Sequence, residues 1–488
     1  MARAAEAAGL VTRNDALVSS LEGIECLVLE ITYQDDAGNI RGAWMAARRA
    51  IAMAQMLGMH RAGRGINASS SSPHALEPES RTRLDPKHMW FRLAQTDLYL
   101  SMMLGLPHAL SDIDLASPQA LEGCTGLERM RRFHCAATAR ILQRNEDNMR
   151  DSTATSEVDD LLREASKTMP PQWWLPPNFG VSRRRSDQGD DSEVVSLEEG
   201  LRVMDQLVHY HLLERLHMPY LLCSTTGDDA EHDSRTCMYS RITALTASRE
   251  VLSRFVSFRS ANPTGLYCTH GLDFLTFISS STLCLAHIEA WRHRHHAQQS
   301  YANNGAQDHP QSETREANNT ITSTSFDFFI HQRPNDRGLM ERTVECLDQQ
   351  ASAHADAVAL KMATILRHLL AVEEDAANGG TYHTSSRPSS PGVGVGVGEG
   401  GEEAGDIELG RVSEGGKALR IRIPHFGIIE VERVEHASHS LLVVPDPVAV
   451  GVDDWTLQGV DMAFENLIRG VGEPDGFSDE QWAEMVGL

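Results

Sequence analysis

"GNIRGAWMAARRAIAMAQMLGMHR", residues 38 to 61, decides the fold class. Trp44, Ala47, Ile51 and Ala54 recur at helical spacing, with Met45, Ala52, Met56 and Met59 on the other side. A helix apolar nearly all round belongs inside a larger helical body. Gly58 then ends it, because glycine takes the left-handed cap conformation without the steric cost of a Cβ. His60 and Arg61 follow at once, as polar residues at a helix junction.

The same grammar repeats outward. Residues 86 to 104 read as a helix with Pro86 at its start and Gly105 just past its end. Helical spacing also marks 21 to 33, 198 to 218, 236 to 259, 266 to 294 and 338 to 373. Only "ALRIRIPHFGIIEVERV" (418 to 434) alternates like a strand, and Pro424 limits it to an edge piece. The expected class is all-α, a body of packed antiparallel helices with disordered inserts. The expected divisions are 1–180 with an insert at 67–83, a linker at 181–197, helices at 198–295, an insert at 296–323, and helices at 324–375. A Gly-rich acidic linker at 376–417 and a segment at 418–488 complete the chain. The inserts are too polar to offset the entropy of ordering them.

A net charge of −24 excludes phosphate binding by the average surface. The one basic run, residues 129 to 150, reads as a solvated helix face. The most apolar stretch, 272 to 291, holds Asp273, His287 and Glu289, so it is a core helix rather than a membrane span. "MARAAEAAGL" lacks the apolar segment of a secretory signal. Eight scattered cysteines fit reduced, buried thiols better than a disulfide framework.

Chemistry-bearing motifs are sparse. HExxH, GxSxG and a phosphate-cradling P-loop are missing, and no Cys-x2-Cys pair exists to bind zinc. "GVGEGG" (396–401) is flanked by glycine and Glu402–Glu403, which makes it a spacer rather than a dinucleotide site. His209, His211 and His217 share one helix without a ligand pair at i, i+4. Asp97 lies within a largely apolar helix, where an unpaired carboxylate would cost several kcal/mol. Arg92 and the His60–Arg61 pair are its natural partners in a structural ion pair. A general acid or base in a pocket is the rival role for Asp97.

"HMWFRLAQTDLYLSMMLGLPHALSDIDLASP" (88–118), read together with the opening stretch and with "HLLERLHMPYLL" (211–222), resembles the regulatory domain of fungal zinc-cluster transcription factors, the xylanolytic-activator type. Trp44, Gly58, His60, Arg61, Trp90, Asp97, Ser101, Gly105, Pro107, Asp112 and Asp114 stand at the positions that carry the resemblance. It implies a nuclear, non-enzymatic regulator of RNA polymerase II transcription that acts through effector or partner binding. It implies partners among the transcriptional machinery and co-regulators, with a homo- or heterodimer as an option and no membrane. The family's zinc sits in an N-terminal six-cysteine cluster that this chain lacks. No cofactor is therefore expected here, and DNA would be reached only through a missing domain or a partner. An effector pocket is expected near 58–61, 97–107 and 209–222.

Residues 453 to 488 carry nine acidic residues against one Arg, which is the composition of a segment that contacts a partner. Trp455, Phe464, Phe477 and Trp482 are its candidate contact residues. Two rival readings stand beside this one. One is a helical dimerisation scaffold that sequesters full-length relatives as a dominant-negative regulator. The other is a helical enzyme using Asp97 and His60.

Overall fold

Asp85 caps the helix that the apolar run 89–104 builds: its carboxylate accepts from the His88 amide, Pro86 occupies the first turn, and Gly105 closes the end with a φ of +66°. This helix, α3 (Pro86–Leu104), is one of ten helices of 16 residues or more among the described residues of a computed structural model of the chain. The structure describes residues 9–37, 39–61, 85–110, 115–144, 149–176, 191–222, 230–261, 269–304, 313–354, 356–387, 418–424 and 426–434. The others are α1 (Leu21–Asp36), α2 (Ile40–Met56), α4 (Gly126–Leu142), α5 (Ser152–Lys167), α6 (Asp191–His217), α7 (Ala230–Ala261), α8 (Thr269–Asn304), α9 (Glu313–His354) and α10 (Ala357–Ala377). Short helical turns lie between some of them.

Consecutive helices pack on one another, as the short connections of an all-α body require. α8 is the axis: it packs on α7, α9 and α10 and touches α1 and α6. Its segment from Gly271 to Ala290 is buried throughout. Among the described residues Gly271–His295 is the one helix long and apolar enough to cross a membrane, and its most apolar window is buried inside the protein. Its polar groups are served internally. Thr276, Ser281 and Thr282 donate to carbonyls one turn back, and Asp273 meets Arg259 at 2.7 Å.

The all-α expectation holds, with differences that have physical causes. Helix α2 is not buried all round. Ala43, Ala47, Ala50, Ile51 and Ala54 face the core, while Met45 and Met56 are 60% and 78% exposed. Alanine lets α1 and α3 approach closely, and the methionines fall on the outer side. Residues 338–373 divide between two helices, because Asp356 caps a new one through the Val358 and Ala359 amides. α6, α8 and α9 extend into stretches expected to be unstructured, continuing as polar helix. The inserts at 67–83 and 396–401 lie outside the described residues, as do Asp112 and Asp114.

The strand reading of 418–434 also changes. Pro424 lies in a turn between two strands, β2 (Ala418–Ile423) and β3 (Gly427–Arg433), and Gly427 supplies the positive φ that the turn needs. A third strand, β1 (Tyr382–Arg387), comes from the stretch expected to be a Gly-rich linker. β3 lies between the other two, antiparallel to both, with Ile421 opposite Ile429. Tyr382, Ile421, Ile423, Ile429 and Val431 join the helical core, so the small sheet covers one side of it.

Candidate functional site

The α2–α3 junction is built around Asp97, which is wholly buried. Arg48 of α2 places its Nε 3.1 Å from Asp97 Oδ1, and the Ala109 amide donates to Oδ2 at 2.7 Å. Ser101, one turn further on, accepts from Trp44 Nε1 at 3.2 Å. Arg48 also donates to the Pro107 carbonyl and stacks over the Trp44 ring at 4.5 Å. The Asp-x-x-x-Ser spacing thus fastens the exit loop 105–110 to its own helix and to α2. Burial pushes the Asp97 carboxyl up, opposed by the Ala109 amide, Arg48 and His108.

Neither Arg92 nor the His60–Arg61 pair supplies the cation at Asp97. Arg92 bonds Glu25 at 3.2 Å. His60 packs its ring 6.0 Å from Trp90, and Arg61 Nε donates to His60 Nε2 at 3.2 Å. The helical period of α3 explains the division: Trp90 and Asp97 lie seven residues apart, nearly two turns along the helix. Trp455, Phe464, Phe477 and Trp482 lie outside the described residues.

On the other side of α3 is a cavity of 260 Å³ enclosed by α3, α4, α6 and α8. Leu98, Met102, Met103, Val208, Leu212 and Leu275 give it apolar walls. Its polar groups are Gln95, Thr96 and Tyr99 of α3, Arg131, His134 and Thr138 of α4, and Asp205 and His211 of α6. An apolar hollow with a handful of convergent polar groups is the usual form of a small-molecule site. It overlaps the expected pocket regions at α3 and around residue 209, but not at 58–61.

The charges in this cavity are compensated within the protein. Arg131 makes a two-point pair with Asp205, at 2.9 and 2.7 Å. His134 Nε2 lies 3.0 Å from His209 Nδ1. Burial, helped by His209 and Arg131, holds His134 well below its usual value, and burial with Arg254 takes His209 down to about 4. Burial likewise lowers His211, against the pull of Glu214. Burial pushes the Cys135 thiol up to about 12, so it is protonated and unreactive.

The arginine run 129–150 is a solvated face only in part: Arg129, Arg140 and Arg150 are exposed, and the others are not. Arg144 is buried and donates to the Leu216 carbonyl and to Thr155 Oγ1. Arg132 stacks on Phe91 at 4.3 Å. These side chains tie α4 to α3, α5 and α6, leaving fewer cations for phosphate.

A wider cleft of 540 Å³ between α5 and α7 contains a hydroxyl–imidazole–carboxylate series. Ser240 Oγ lies 3.1 Å from His217 Nδ1, and His217 Nε2 lies 3.5 Å from Asp159, which also accepts from Tyr239 at 2.6 Å. Burial raises the Asp159 carboxyl, but His217, Tyr239 and Arg163 outweigh it and leave it low. The arrangement resembles a nucleophile relay only in order. Ser240 lies within the continuous helix α7, whose amides are spent on the helix ladder, so the backbone around it offers no oxyanion donors. The series cross-links α5, α6 and α7. Sequence periodicity could not reveal it, because its members lie 80 residues apart.

Among the described residues no group of three His, Cys, Asp or Glu side chains is set to hold a metal ion. The cysteine spacing does not fit a zinc cluster either.

Comparison with curated proteins then bears on this helical body. A dehydrocurvularin biosynthesis regulator of Aspergillus terreus is 33% identical over 433 residues, 88% of this chain and 50% of that protein. The chain is homologous to fungal transcription regulators. A regulator of the same description from Alternaria cinerariae is 31% identical over 86% of this chain and 47% of its own length. A transcription factor of Phoma is 38% identical over 220 residues, 44% of each chain. The chain spans about half the length of the curated relatives it matches. No family model matches it, and no solved structure does. The homologues support a general role in transcriptional regulation.

Proposed function

We propose that this chain is the regulatory region of a fungal zinc-cluster-type transcription regulator, working in the nucleus on a biosynthetic gene set. The reading rests on homology along most of the chain and on one structural observation, the apolar cavity with compensated charges between α3, α4, α6 and α8. An effector seated there touches four helices at once. It shifts the helical body only as far as it binds one arrangement better than another. DNA is reached through a further domain or a partner, and the acidic segment 453–488, with Trp455, Phe464, Phe477 and Trp482, contacts the transcriptional machinery.

Tethering tests this. The chain fused to an unrelated DNA-binding domain is expected to change a reporter gene in fungal nuclei, and removal of 453–488 is expected to weaken the change. A fusion that is nuclear, abundant and without effect on the reporter overturns the reading.

One observation favours a second reading, a dimerising scaffold. Met45, Ala52 and Met56 form an exposed stripe along α2. Sedimentation of the wild type and of Met45→Lys/Met56→Lys decides it: an equal, concentration-independent monomer mass for both removes the scaffold reading.

A further inference from the structure

The cavity between α3, α4, α6 and α8 carries information about its occupant, which rests on the effector reading above. A charged ligand has no partner there. Arg131 is taken by Asp205 through two bonds, so an anion finds no unpaired guanidinium and a cation finds no unpaired carboxylate. Displacing either partner would leave a charge uncompensated at the cavity wall. His134 is engaged with His209.

His211 differs. Its Nδ1 lies 3.5 Å from Glu214 Oε2, and Glu214 is wholly buried. Glu214 accepts from Ser248 Oγ at 3.0 Å and from Ser279 Oγ at 2.7 Å, one hydroxyl on each oxygen. At 3.5 Å from Glu214 Oε2, Nδ1 makes no hydrogen bond, so either ring nitrogen can carry the imidazole proton. Among the described residues nothing hydrogen-bonds to Nε2, which can accept or donate. The ring that carries it lines the cavity.

The walls set the remainder. Leu98, Met102, Met103 and Leu212 require apolar surface, and a hollow of 260 Å³ admits only a small molecule. We propose that the cavity takes a small uncharged molecule, largely apolar, with one hydroxyl that hydrogen-bonds to His211 Nε2. A simple phenol is the chemical type.

Calorimetric titration of the full 488-residue chain tests this with four probes of one shape: p-cresol, toluene, 4-methylbenzoate and 4-methylbenzylamine. The expected order is p-cresol tightest and toluene about tenfold weaker, the worth of one hydrogen bond of about 1.4 kcal/mol, with the two ions not binding. His211→Leu is expected to bring p-cresol down to the level of toluene. Should that variant fail to fold, Val208→Trp serves: Val208 is partly exposed at the rim, and the larger ring is expected to block p-cresol. Tighter binding of either ion, equal binding of p-cresol and toluene, no binding of p-cresol, or p-cresol binding unchanged by Val208→Trp would each overturn the proposal. The tethered reporter reads independently. A ligand failure with an active reporter removes only this inference, and an inert reporter with p-cresol bound removes only the transcriptional one.

Discussion

His134 Nε2 and His209 Nδ1 stand 3.0 Å apart, one on α4 and one on α6, in a contact closed to water. One ring donates and the other accepts, so the accepting imidazole must be neutral, and burial disfavours charge on either ring. Trp174 covers His209 at 4.6 Å between ring centroids, while Arg131 and Arg254 oppose a second positive charge.

Acid therefore weakens the fold through this pair. A base held below its ordinary value binds its proton more readily once unfolded. Its contribution is complete above 6.5, the unfolded value, and is lost as the pH falls toward about 4, the folded value for His209. For His209 alone the loss is about 3 kcal/mol by pH 4. His134→Gln with His209→Asn keeps a donor and an acceptor but no titration. Urea midpoints for the double variant are expected to fall less than wild type between pH 6.5 and 4. Parallel curves would remove the pair as a cause.

At the α2–α3 junction, Asp97→Ala leaves the Ala109 amide and Arg48 without their acceptor. The expected loss is about 3–5 kcal/mol. Asp97→Asn still accepts from Ala109 and is expected to lose less than half of that. Arg48→Met is expected to fall between, because the already raised Asp97 can take up a proton. Thermal melts of the three variants check the ranking.

Local signals were legible, and long-range ones were not. Asp85, Pro86 and Gly105 bracket α3 by short-range chemistry, so its limits could be read directly. The positive φ of Gly58 is of the same kind. α5 carried an equally clear signal, Asp151 as cap with Val158, Leu162 and Ala165 along one face, and it could have been found. The partner of Asp97 could not. Arg48, Arg92 and Arg61 are chemically alike, and only the packing of α2 on α3 selects among them. The pocket depends on four helices spread from residue 95 to 275, and no periodicity reports such a meeting. The strand at 382–387 was hidden because its ladder partner lies some 45 residues away, across a Gly-rich stretch.

Asp35 is a destabilising group near the end of α1. One of its carboxylate oxygens is buried without a hydrogen-bond partner. Burial, with the Asp36 charge beside it, pushes the carboxyl up to about 7. The helix C-terminus adds to the repulsion. An acid raised in this way favours the fold fully below 3.8, the unfolded value, and loses that benefit progressively as the pH rises to 7. Asp35→Asn is therefore expected to add about 3–4 kcal/mol at pH 8 and less than about 1 kcal/mol at pH 4. Melting temperatures at the two pH values measure it, and an equal gain at both would exclude titration as the cause.

Asp336 holds three helices at one point. Arg249 of α7 donates to its two oxygens at 2.6 and 2.8 Å, and His287 of α8 lies 2.8 Å from Oδ2. Burial raises the Asp336 carboxyl, but these partners outweigh it and hold it below its usual value. Two residues earlier, Pro334 interrupts the ladder of α9, having no N–H to give. The ion pair thus anchors α9 where its own hydrogen bonds are weakest. Asp336→Ala is expected to cost about 3–5 kcal/mol, since Arg249 and His287 lose their acceptor in a buried site. Asp336→Asn keeps the shape without the charge and is expected to cost less. Hydrogen exchange adds a local readout. In Asp336→Asn the amides of Met340 to Leu347 are expected to exchange faster than wild type while those of α3 do not. Uniform acceleration through both helices would mean that the anchor acts on global stability and not on α9.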